Sequence, residues 1–124
     1  MSTAINYEEM VAALAKPGED ILATLTPTQA HLLHMAVGIA GEAGELLDAI
    51  KKHVVYNKPL DMENVIEENG DLEFYLEGLR AAVGITRQQA IEANIAKLLT
   101  SPKARYKLGV YTDQAAQERA DKAA

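Results

Sequence analysis

One short break, Asn57-Lys58-Pro59-Leu60, stands between two long stretches of helical periodicity. That layout commits the middle of the chain to a helix hairpin. Upstream, Thr26-Pro27 opens the first helix: proline suits the first helical position, and Gln29, three residues after Thr26, completes a capping box. Its apolar stripe is Leu32, Met35, Ala36, Ile39, Ala43, Leu46, Leu47, Ile50 and Val54. Downstream, Asp61 is a good N-cap for a second helix over Met62 to Val83. Its stripe is Val65, Leu72, Tyr75, Leu76, Leu79 and Val83. Gly38, Gly41 and Gly44 each cost about 1 kcal/mol in a helix interior relative to alanine. Three of them in one helix lead us to expect a close approach by a backbone or a ligand.

Shorter elements flank the hairpin. Asn6 to Lys16 reads as a helix with Tyr7, Met10, Val11 and Leu14 on one face, stopped by Pro17-Gly18. Glu19 to Leu25 is ambiguous, with room for a short turn of helix. Gly84 ends the second long helix, and Thr86 with Gln89 forms another capping box for a helix to about Thr100. Ser101-Pro102 ends it. A linker with Lys103, Arg105, Tyr106 and Lys107 follows, and Thr112 to Lys122 reads as a surface helix or a docking tail. No strand pattern is present. The expected fold is all-α: a four-helix-type bundle built on a long antiparallel hairpin. It forms one domain over 1–124, with a core at about 26–100 and a linker and tail helix at 101–124. A bundle this small and this striped buries its remaining apolar face in an oligomer.

Composition narrows the function. Acidic residues outnumber basic ones 18 to 12, for a net charge of −6, which argues against a nucleic-acid binder. There is no cysteine, so disulfides and thiolate zinc sites are excluded. No signal peptide and no membrane-spanning run is evident, so a cytoplasmic protein is expected.

The acidic residues have a pattern. Glu42 and Glu45 lie three apart on the first long helix, and Glu68 and Asp71 lie three apart on the second. Residues three apart are neighbours on a helix surface, so each pair points one way. Glu68 falls inside the apolar stripe of its helix. An unpaired charge there costs several kcal/mol, so Glu68 needs a cation or a proton. Four converging carboxylates need a counter-charge, and all-oxygen ligands suit Mg2+, with Mn2+ able to substitute. Such a centre grips phosphate oxygens and activates water for in-line attack. Lys97, with Asn94 three residues earlier, is the best-placed cation, and Tyr75 stands one turn beyond Asp71. His31 and His34 lie two to three turns upstream of Glu42, which suits pocket lining rather than shared metal ligation.

These residues carry a family resemblance. Glu42-Ala-Gly-Glu45-Leu-Leu-Asp-Ala-Ile-Lys-Lys, then Asn57-Lys58-Pro59-Leu60-Asp61, then Glu68-Asn-Gly-Asp71 with Tyr75 resembles the MazG-like all-α nucleoside triphosphate pyrophosphohydrolases. It is weaker through Asn94-Ile-Ala-Lys97-Leu and Arg105-Tyr106. The small single-domain form resembles versions common in bacteriophages, which would place it in the host cytoplasm. The resemblance implies cleavage of a nucleoside or deoxynucleoside triphosphate between the α and β phosphates, giving monophosphate and pyrophosphate. It implies Glu42, Glu45, Glu68 and Asp71 as Mg2+ ligands. It also implies nucleotide contacts from Asn94, Lys97, Arg105 and Tyr106, and assembly as a homodimer or homotetramer. Two positions depart from the pattern: Gly41 stands where the family often has glutamate, and Asn69 where it usually has leucine. The alternatives are a non-catalytic nucleotide- or alarmone-binding helical module, or a structural helical adaptor.

Overall fold

The computed structural model describes residues 4–122. Among them there is no strand, and the fold is all-α. Six α-helices follow in order: α1 Tyr7–Leu14, α2 Gly18–Thr24, α3 Pro27–Val55, α4 Met62–Val83, α5 Arg87–Ile95 and α6 Asp113–Glu118. A π-helical turn, Ala96–Thr100, continues α5, and a 3-10 turn, Ala120–Lys122, follows α6. No helix among the described residues is long and apolar enough to cross a membrane.

Side chains set most of the boundaries. The Thr26 and Thr86 hydroxyls accept from the Gln29 and Gln89 amides, and each glutamine accepts from the threonine N–H in return. Both capping boxes therefore satisfy donors that a helix start leaves orphaned. Asp61 accepts from the Asn64 N–H at 3.1 Å and starts α4. Gly84 ends it in the left-handed region, at φ 75°, where a side chain would be strained. In the connection, His53 Nδ1 donates to the Lys58 carbonyl at 2.7 Å and Asn57 takes φ 50°.

α3 and α4 pack antiparallel, and theirs is the extensive helix-to-helix interface of the chain. A single chain thus supplies a two-helix layer. Two glycines let it close. A Cβ on Gly38 would overlap the Tyr75 ring, and one on Gly78 would overlap the Met35 sulfur. Gly41 and Gly44 behave otherwise: a Cβ on either meets open space, so no close approach within the chain explains them. Gly38→Ala should therefore destabilise the hairpin by about 1–3 kcal/mol, the usual cost of overpacking. Gly44→Ala should stabilise the isolated helix by about 1 kcal/mol. Urea titrations of the two variants read both directly.

The face that α3 turns to α4 takes in only one edge of its apolar stripe. Met35, Gly38, Glu42 and Ala49 are the contact-side residues, with Met35 and Ala49 buried. At 100° per residue, the outer edge of the stripe, Ala36, Ala43, Leu47 and Ile50, lies roughly 120° away around the helix, with half-buried Leu32, Ile39 and Leu46 between the two. Leu33, Val37, Leu47 and Val54 are accordingly exposed. On α4, Glu68 and Arg80 are the buried residues, and both are charged. Arg80 is satisfied by its own helix: it donates to Glu73 at 2.6 Å and to Glu77 at 2.9 Å.

Candidate metal centre

Three of the four sequence-designated carboxylates converge. Glu42 reaches across from α3, while Glu68 and Asp71, one turn apart, come from α4. One oxygen from each lies within 4.8 Å of the other two. Glu68 is 5 % exposed, and the other two are half-buried. One buried oxygen of Glu42 and one of Glu68 have no hydrogen-bond partner. Two carboxylates at this range are both acceptors, so they can join only through a proton or a cation.

Without a cation, the proton wins. The neighbouring Glu42 carboxylate, then burial, then Glu45 push the Glu68 pKa up from 4.5 to about 8. Glu45 itself is exposed on the next turn of α3. It reaches Glu68 but lies outside the converging three. The donor set is all carboxylate oxygen, which a hard divalent cation prefers and which suits zinc or iron poorly. The orphaned oxygens of Glu42 and Glu68 are what such an ion would satisfy. The cluster can hold a metal ion.

The surroundings are specific. Tyr75, half-buried against Gly38, stands edge-on to His34 at 6.1 Å and to Phe74 at 5.2 Å. His34 and Phe74 therefore pack around Tyr75, which stands one turn beyond Asp71 on α4. His31 lines a separate groove with Met35, Phe74 and Gly78. Gly41 and Asn69, the chain neighbours of Glu42 and Glu68, make no contact with the converging oxygens. Asn69 donates from its side chain to the Val65 carbonyl at 2.8 Å, and Gly41 faces open space.

The four C-terminal site candidates lie outside the converging three, on α5, the turn that continues it and the linker beyond. Asn94 and Tyr106 line a cleft of about 390 Å³ with Leu98 and Tyr111. The Lys97 carbonyl accepts from the Arg105 N–H at 3.1 Å. Arg105 donates from Nε and a terminal nitrogen to both oxygens of Asp121, at 2.8 and 3.1 Å. The Asp121 side chain is 3 % exposed, and Arg105 holds its carboxyl below the usual range. Asp121 is therefore a fixing point, and the C-terminal stretch is a clasp rather than a loose tail. Sequence reading missed it because the partners are 16 residues apart with no periodic signal. Asp121→Ala should remove about 1.5–3 kcal/mol of local stability, the range for hydrogen bonds to a charged group. Limited proteolysis should then cut after Lys107 or Arg119 while α3 and α4 stay protected.

The chain matches no protein-family model, no curated protein and no solved structure.

Proposed function

We propose that the chain is a Mg2+-dependent nucleoside triphosphate pyrophosphohydrolase, cleaving NTP or dNTP between the α and β phosphates. The observation that supports this best is the pair of buried, unpartnered oxygens on Glu42 and Glu68 beside Asp71. A helix hairpin that closes over uncompensated carboxylates is costly unless a cation completes it. The ordered Glu-x-x-Glu and Glu-x-x-Asp motifs, with their family resemblance, narrow the cation's task to phosphate.

When bound, Mg2+ would neutralise phosphate charge and acidify a bound water. Glu42, Glu68 and Asp71 supply the oxygens that hold it. Glu45 is exposed and reaches Glu68 from outside the converging three, which suits it to orient the attacking water and take its proton. Tyr75, one turn beyond Asp71 on α4, packs against Gly38. Asn94, Lys97 and Tyr106 remain candidates for nucleotide contact. Arg105 would have to leave Asp121 before it met a phosphate.

Product analysis tests the reading. Each common NTP and dNTP is incubated with the full chain and Mg2+, with and without chelator. Monophosphate plus pyrophosphate, lost on chelation, is the expected result; tight nucleotide binding with no product would favour the non-catalytic module instead. Glu45→Gln should keep cation binding and lower turnover about 100-fold or more, within the range for general-base loss.

A further inference from the structure

Two contacts of one kind hold the hairpin in register. Met35 of α3 meets Gly78 of α4; three residues on along α3 and three back along α4, Gly38 meets Tyr75. In each, a large side chain lies where the facing residue has none. Carried four residues further, the same register sets Glu42 opposite Asp71, and three beyond that it sets Glu45 opposite Glu68. The carboxylates follow it: Glu42 converges with Asp71 and Glu68, and Glu45 reaches Glu68. The Gly38–Tyr75 contact therefore stands one helical turn, about 5.4 Å, from the metal centre.

The two contacts differ in how they can yield. A Cβ on Gly78 overlaps the Met35 sulfur, which sits far along a flexible side chain and can swing aside. A Cβ on Gly38 overlaps the Tyr75 ring at Cγ, Cδ1 and Cε1, so the ring must move from its root. It has little room to do so, being half-buried with His34 edge-on at 6.1 Å and Phe74 at 5.2 Å. Carbon atoms pack best at about 3.5–4.0 Å, so relief takes a parting of the helices by about 1 Å at that turn. Glu42 stands on one side of the gap, and Glu68 and Asp71 stand on the other. A small hard cation demands its ligand distances to within about 0.2 Å.

We propose that Gly38 and Tyr75 are positioning residues for the metal centre. The bare Cα of one and the ring of the other set the α3–α4 separation at which Glu42, Glu68 and Asp71 share an ion. The ion itself rests on the proposed reading of those three as its ligands. Neither positioning residue needs to touch it. Gly41 and Gly44, which meet open space, have no such part, and at Tyr75 the ring matters while the hydroxyl does not.

The test is Mn2+ binding by the full chain, followed by electron paramagnetic resonance below the melting temperature of each variant. Gly38→Ala should weaken binding about tenfold or more, the scale for losing groups that orient metal ligands. Gly78→Ala, overpacked at the same interface but against the flexible methionine, should stay near native. Tyr75→Phe, which keeps the ring, should bind as the native chain does. Gly38→Ala combined with Tyr75→Ala gives the new methyl its room and should regain most of the lost affinity, which a mere loss of stability would not allow. Native uptake with no weakening in Gly38→Ala, with equal weakening in Gly78→Ala, or with no recovery in the double variant would each overturn the positioning role and leave the metal centre standing. No uptake by the native chain would overturn both.

Discussion

Glu68→Gln should abolish the response to divalent cations while making the metal-free protein more stable. The two effects have opposite signs and one cause. Glu68 is buried against Glu42, and each has an oxygen with nothing to bond to. An amide of the same shape ends the carboxylate–carboxylate conflict, because its N–H donates to the neighbouring carboxylate and it carries no charge. It also removes a ligand. Loss of groups that merely orient metal ligands costs 10- to 100-fold in affinity, so loss of a ligand should cost at least about 100-fold. Thermal melts with and without Mg2+ read both signs. A variant that is destabilised without metal and still stabilised by Mg2+ would contradict the assignment of Glu68.

The second large effect is on pH. Between about 4.5 and about 8, the folded metal-free chain holds a proton on Glu68 that the unfolded chain has lost. The folded state therefore binds more protons in that window, and metal-free stability should fall as pH rises through it, levelling off above about 8. A cation must displace that proton. Affinity for Mg2+ should rise about tenfold per pH unit below pH 8 and flatten above it, with one proton released per ion bound. Titration calorimetry in two buffers of different ionisation enthalpy counts that proton. A flat affinity profile between pH 6 and 8 would mean that Glu68 titrates as an ordinary carboxylate.

Local chemistry made the helix ends legible from sequence. Thr26 with Gln29, Asp61, Gly84 and Thr86 with Gln89 each act within three residues of themselves, and the observed ends follow them. The meeting of Glu42, Glu68 and Asp71 was legible too, because a short connection forces the hairpin and i,i+3 spacing forces each pair to one side. Glu45 was placed with them but sits one turn beyond the convergence. Periodicity does not say which neighbour a stripe faces. On α3 the stripe is split: Met35 is buried against Gly78 of α4, while Ala36, Ala43, Leu47, Ile50 and Val54 are left exposed. Of the three glycines read as marking a close approach, Gly38 meets Tyr75, whereas Gly41 and Gly44 meet open space within the chain. Arg105 read as a phosphate ligand, but its partner is Asp121, a pairing set by how the C-terminal stretch folds back.

The account rests on a cation held by Glu42, Glu68 and Asp71. The most direct measurement is a titration of the full chain with Mn2+ at pH 8, following the free hydrated ion by electron paramagnetic resonance. Uptake by the native chain, reversed by excess Mg2+ and lost in Glu68→Gln, is the result expected. Mn2+ that stays free, or that binds the native chain and Glu68→Gln equally well, would contradict it.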